Sequence, residues 1–145
     1  MWIRHSNGTA TLADDSGLVV DALDGQPGVL SARYGGDDLD FAGKMALLLD
    51  NIRESGKEGR RARFVCEIVL ANKEGAVCFN ARGVCEGTIA PGPRGSGGFG
   101  YDPIFIPDGF RDTFGELSSA IKHEISHRAR AFGQIIPYLR DNMVV

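Results

Sequence analysis

Two β-rich runs joined by a short polar turn constrain this chain more than any other feature. Arg63-Phe64-Val65-Cys66-Glu67-Ile68-Val69-Leu70 is strand-like and mostly apolar, as expected of a strand in a central position. Asn72-Lys73-Glu74-Gly75 follows as a turn, and residues 76–89 read as a long return strand. Upstream, Thr11-Leu12-Ala13 reads as a short strand running into a turn at Asp14-Asp15-Ser16-Gly17, with residues 18–23 as a second β-rich run. Gly25, Pro27 and Gly28 punctuate a loop. Leu39, Ala42, Ala46, Leu48, Leu49 and Ile52 then recur at helical spacing, and Gly56 stops that helix. Residues 91–100 form a Gly/Pro loop, and residues 103–106 suit a short strand. From Leu117 the chain reads as helical. Ser126 is the expected N-cap of a last helix containing Ala129, Phe132, Ile135 and Ile136, which Pro137 should kink or shorten. Strands mixed with helices and an antiparallel hairpin predict an α/β fold with a mixed sheet. At 145 residues the expectation is one domain, 1–145.

Charge narrows the function. Sixteen Lys and Arg against nineteen Asp and Glu give a net charge of −3, so no broad basic surface is expected. That argues against a nucleic-acid polymer or a membrane as partner, yet leaves room for a small anionic ligand met by a few local cations. No apolar run approaches the ~18 residues of a membrane span, and MWIRHSNGTA lacks the apolar segment of a signal peptide, so a cytoplasmic protein is expected. Cys66, Cys78 and Cys85 are odd in number and have no CxxC spacing, which argues against zinc. The turn at residues 72–75 sets none of them opposite another, and they read as reduced core thiols.

Three short motifs could carry chemistry. In Asp14-Asp15-Ser16-Gly17, oxygen ligands suit Mg²⁺, which takes one or two carboxylates plus substrate phosphates, and one carboxylate could deprotonate a water. Adjacent residues of a strand point to opposite faces, so both carboxylates share a pocket only if the strand has ended. The plain alternative is a solvated turn. Gly95-Ser96-Gly97-Gly98-Phe99-Gly100 matches GxGxxG, but Tyr101-Asp102-Pro103 follows instead of a helix, so a dinucleotide fold is not implied. Glycines here let backbone approach a flat ligand, and Phe99 or Tyr101 can stack on a base; the alternative is a flexible loop with buried aromatics. Lys122 followed by Ser126-His127-Arg128 gathers donors at a helix start for an acceptor-rich ligand, the alternative being a solvated helix start. His5 and His123 read as surface residues.

These strings, in this order, resemble one family. Leu12-Ala13-Asp14-Asp15-Ser16-Gly17-Leu18, Pro27-Gly28, Ser31-Ala32-Arg33-Tyr34, Gly97-Gly98-Phe99-Gly100-Tyr101-Asp102-Pro103-Ile104-Phe105, Lys122, Ile125-Ser126-His127-Arg128 and Ala131 look like the Ham1/RdgB/ITPase family of inosine-triphosphate pyrophosphatases. The likeness runs from about Thr11 to about Leu139. It implies an ITPase-like mixed β-sheet with flanking helices, a homodimer and dependence on Mg²⁺. It also implies hydrolysis of ITP, dITP and XTP to the monophosphate and pyrophosphate. Asp15 matches the family's proton acceptor and metal-binding aspartate, with Asp14 beside it as a support for the metal or its water. Ser16 matches a substrate contact, and Phe99, Gly100, Tyr101 and Asp102 match the base and sugar pocket. Lys122, His127 and Arg128 match the remaining substrate positions, and their donors favour a keto group at purine C6 over an amino group.

Two departures stand against that pattern. Ile121 occupies a position where the family usually carries Glu. The family's T/S-G-N-x-x-K triphosphate loop and a helix with a metal-binding glutamate do not appear before Thr11, so the chain is expected to be N-terminally truncated relative to the family. The competing expectation is therefore a nucleotide-binding or dimerising remnant with weak or no turnover.

Overall fold

The computed structural model describes residues 10–142. His5 and the polar residues 4–7 lie outside the described residues. Strand β1 (Thr11–Val20) is followed by a 3-10 turn, Asp21–Leu23, and the two-residue strand β2 (Pro27–Gly28). A second 3-10 turn, Ser31–Arg33, leads to helix α1 (Phe41–Glu54). The hairpin β3 (Arg61–Ala71) and β4 (Val77–Ile89) comes next, then a 3-10 turn at Asp102–Ile104 and strand β5 (Phe105–Pro107). Helices α2 (Ser119–Ile125) and α3 (His127–Asn142) close the described chain.

The five strands form one sheet in the order β2-β1-β3-β4-β5, with β3 at its centre as its apolar run predicts. Asn72 builds the hairpin turn: its carboxamide oxygen accepts the N–H groups of Glu74 and Ala76 at 3.1 and 2.9 Å. The register sets Cys66 against Gly83 and Cys85 against Phe64, and all three cysteines are free thiols; Cys66 and Cys85 are buried as expected, but Cys78 is exposed and is no core residue. The α/β class holds, but every pairing among the described residues is antiparallel where a mixed sheet is expected. A parallel neighbour needs a crossover of a dozen or more residues. The long connection here, through α1, brings β3 beside β1 in the opposite sense.

Alternate residues of β3, Ala62 to Leu70, are buried on one face. The helices cover that face, and the apolar side chains form two adjoining clusters there. Leu18, Val20, Leu48, Phe64 and Phe105 make the larger one; Cys66, Ile68, Ala131 and Ile135 make the smaller, under α3. The other face carries ion pairs instead, among them Arg63 with Asp21 and Glu86 at 3.0 and 2.9 Å.

Three local expectations are corrected. The turn at residues 14–17 is absent, because β1 pairs with β3 without interruption from Thr11 to Val20. Gly17 serves close approach rather than turning: a Cβ there would lie 2.4 Å from the Gly28 carbonyl oxygen. Pro103 falls in a 3-10 turn, and the strand begins at Phe105. Helix α3 runs through Pro137 to Asn142, so the proline does not shorten it. The proline forgoes one backbone hydrogen bond, while buried Ala131 and Ile135 and the Phe79–Tyr138 stack at 4.5 Å hold the helix on both sides of it. The helix at residues 39–52 is found at Phe41–Glu54, capped by Asp40, whose carboxylate accepts the Gly43 N–H at 2.8 Å.

Candidate active site

A cavity of about 730 Å³ opens between β1, the glycine loop and the starts of α2 and α3. This is the size range of small-ligand sites. Ser16, Phe99, Gly100, Tyr101, Asp102, Lys122, His127 and Arg128 all line it, so residues 112 positions apart in sequence share one wall. His123, expected at the surface, is exposed and also reaches this lining.

The glycine loop is built around a buried carboxylate. Asp102 Oδ2 receives the Lys122 ammonium and, at 2.9 Å, the Phe99 N–H. A Cβ on Gly98 would lie 2.2 Å from that oxygen, and Gly98 has φ of +70°, so only glycine fits. Lys122 Nζ stands 4.6 Å from the centre of the Phe99 ring. Phe99 is 65% exposed and free to stack. Tyr101 is not, which corrects the expectation that either ring could do so. It is buried, packs edge-on against Phe41 at 5.4 Å, and donates its hydroxyl to the Ser31 carbonyl at 2.7 Å. Burial pushes its phenol up to about 12.

At the other end, Ser126 Oγ accepts the Ala129 N–H at 3.1 Å and caps α3 as its sequence predicts. The buried His127 ring stacks on Phe64 at 4.8 Å, and its Nδ1 has no hydrogen-bond partner among the described residues. Such orphaned nitrogens are rare in native folds, and each calls for an explanation. Burial first, then the charges of Arg128 and Lys122, lower its pKa to about 4, so the imidazole is neutral at pH 7. Arg128 Nη2 donates to Asp14 Oδ2 at 2.7 Å, tying the first turn of α3 to β1.

That contact separates the acidic pair. In an uninterrupted strand Asp14 and Ser16 share the helix-covered face, and Asp15 projects from the other. The joint metal site expected of Asp14 and Asp15 is therefore corrected: the two carboxylates do not converge. Among the described residues no group of three or more His, Cys, Asp or Glu could hold a metal ion. Asp15 makes no ion pair among the described residues; it stands directly opposite Glu67, whose carboxylate is already paired with Arg82 at 3.3 Å. β2 pairs with β1 only at Leu18 and Val19, so no described strand covers the edge of β1 at residues 14–17. Ser16 lines the cavity, but neither Asp14 nor Asp15 does.

Sequence reasoning misses Ser31 as more than a member of a string. Its hydroxyl accepts the Leu18 N–H at 2.9 Å and donates to the Gly28 carbonyl at 2.7 Å, while its own carbonyl holds Tyr101. It also misses Phe64 beneath His127; no local signal marks either.

A family model described as Ham1 family matches residues 2–138. The chain belongs to the Ham1 family. A protein named dITP/XTP pyrophosphatase from Rhodospirillum centenum is 49% identical over 132 residues, covering 90% of this chain and 64% of its own length. A protein of the same name from Nostoc is 43% identical, with 93% of this chain and 66% of that one covered. The chain thus spans just under two thirds of these curated Ham1 relatives. The solved Ham1 protein of Coxiella burnetii superposes with a TM-score of 0.88 at 40% identity, over 92% of this chain and 68% of that one.

Proposed function

We propose that this Ham1-family chain hydrolyses inosine, deoxyinosine and xanthosine triphosphates to the monophosphate and pyrophosphate. One observation carries the reading: in a single cavity the exposed Phe99 ring meets the donors of Lys122, His127 and Arg128. The names of the curated relatives support it.

Phe99 stacks on the base, an interaction of about 1–3 kcal/mol. Hypoxanthine and xanthine offer a keto oxygen at C6 beside an N–H at N1, where adenine offers an amino group beside a bare nitrogen. Lys122 and Arg128 carry only donors, and a neutral His127 has one donor and one acceptor, so the set matches the keto edge. With the base seated, Ser16 faces the sugar and phosphates. A carboxylate oxygen of Asp15 takes the proton of the water that attacks phosphorus, and the bond to the departing pyrophosphate breaks. Asp15 is also the residue that would hold a divalent cation, Mg²⁺ in this proposal. When bound, such an ion neutralises phosphate charge. A cytoplasmic homodimer belongs to the same proposal; no helix among the described residues is long and apolar enough to cross a membrane.

Pyrophosphate release from ITP and from ATP, each with Mg²⁺, tests the reading. ITP should turn over faster, and Asp15→Asn should lower turnover by about 10²–10⁴-fold, the scale of lost general-base work. A nucleotide-binding protein without turnover would bind inosine monophosphate and release nothing. An Asp15→Asn protein retaining more than about a tenth of the parent rate overturns the assignment of Asp15.

A further inference from the structure

Both cations of the cavity have a carboxylate partner, and Asp14 is the partner without a place in the proposed chemistry. We propose that Asp14 is a positioning residue for Arg128: it aims the guanidinium across the cavity mouth and sets nucleotide affinity and base choice, not hydrolysis. The inference rests on the function proposed above.

Four observations carry it. Asp14 lies on the helix-covered face with Ser16, away from Asp15. Its carboxylate meets Arg128 Nη2 at 2.7 Å, and among the described residues neither side chain makes another ion pair. A guanidinium has five N–H donors in a rigid fork, so one held by Asp14 leaves others for a ligand's acceptors, already oriented. The contact also sits at the first turn of the 16-residue helix α3, where a carboxylate is favoured by the helix dipole. Finally, the pair is partly exposed, at 45% for Arg128 and 35% for Asp14, so it orients a side chain that a ligand can reach and contributes little as a structural strut.

The test uses the full chain and the variants Asp14→Asn, Asp14→Ala, Arg128→Ala and the double variant Asp14→Asn/Arg128→Ala. Calorimetry with inosine monophosphate gives affinity, and steady-state rates with ITP and ATP give KM and kcat across a Mg²⁺ titration. Asp14→Asn should weaken monophosphate binding and raise KM for ITP by about 5–10-fold, the scale of one charge-assisted contact. The ITP-over-ATP preference should narrow, while kcat at saturation and the Mg²⁺ requirement stay put. In the Arg128→Ala background the Asp14 change should add nothing. A fall in kcat with a raised Mg²⁺ requirement would make Asp14 a metal ligand and overturn the inference. Unchanged affinity, or effects that simply add to those of Arg128→Ala, would overturn it too. These outcomes leave the proposed function standing. A parent chain that binds no inosine monophosphate and turns over no ITP defeats that function, and this inference with it.

Discussion

The two ends of the cavity hold their cations in opposite ways. Lys122 and Asp102 are 17% and 5% exposed, and the carboxylate is further fixed by the Phe99 N–H and by the space that Gly98 leaves. Arg128 and Asp14 are 45% and 35% exposed and share one contact. A buried pair is costly to break because the survivor is stranded without water. An exposed pair is cheap to break because water replaces either partner. The glycine-loop end is therefore a fixed floor, and the α3 end an adjustable arm.

The largest expected effect attacks the floor. Asp102→Ala leaves a mostly buried ammonium unpaired and frees the Phe99 N–H, so it should cost about 3–5 kcal/mol of stability. Urea denaturation read against Asp14→Ala checks the contrast. Equal losses for the two variants would dissolve the distinction between floor and arm.

Acid sharpens it next. The buried His127 feels the charges of both cations, and its protonation would add a third positive charge beside them. The unfolded imidazole titrates near 6.5 and the folded one at about 4, so between those values the unfolded state binds more protons. This contribution to stability is whole above pH 6.5 and shrinks as pH falls to 4, by at most about 3 kcal/mol. Melting curves of the parent and of His127→Gln across that window should diverge, with the variant losing less. Parallel curves would mean that His127 titrates normally.

Much of this was legible in local pattern, and what was not depends on contacts far along the chain. The hairpin and α1 follow from a mostly apolar strand run and from helical spacing, with the turn at residues 72–75 and Gly56 as punctuation; the Asp40 cap was not read from the sequence. Residues 14–17 misled because Asp, Ser and Gly are turn formers. What keeps them extended is pairing with residues 65–68 and the approach of Gly28 to Gly17. The glycine loop and Ser126-His127-Arg128 did mark the cavity. Nothing in Tyr101 itself showed that it would be buried under Ser31 while Phe99, two positions away, stays open. Nor could the spacing of Asp14 and Arg128 disclose an ion pair across 114 residues.

A smaller effect separates binding from folding. Phe99 covers Lys122 but is mostly exposed, so Phe99→Ala should weaken inosine monophosphate by about 1–3 kcal/mol. Stability should move by less than about 1 kcal/mol. Calorimetry and melting on the same sample decide it. A large loss of stability would make Phe99 a lid on the buried pair instead of a platform for the base.

The smallest effect belongs to the arm. Asp14→Asn keeps the size of the side chain and removes its charge, so the stability change should be about 0–1 kcal/mol, as for exposed pairs generally. Salt offers the same test without a substitution. The Debye length falls from about 10 Å at 0.1 M to about 3 Å at 1 M, which screens charges in water and leaves buried ones nearly untouched. Added NaCl should therefore erase most of the difference between parent and Asp14→Asn in affinity for inosine monophosphate. The deficit of Asp102→Asn should persist at high salt, because its partner Lys122 is shielded by protein rather than by ions. If salt erases both deficits alike, Lys122 and Asp102 reach water in solution and the floor is as soft as the arm. If it erases neither, Arg128 and Asp14 are held as tightly as the buried pair, and an incoming nucleotide must break them apart.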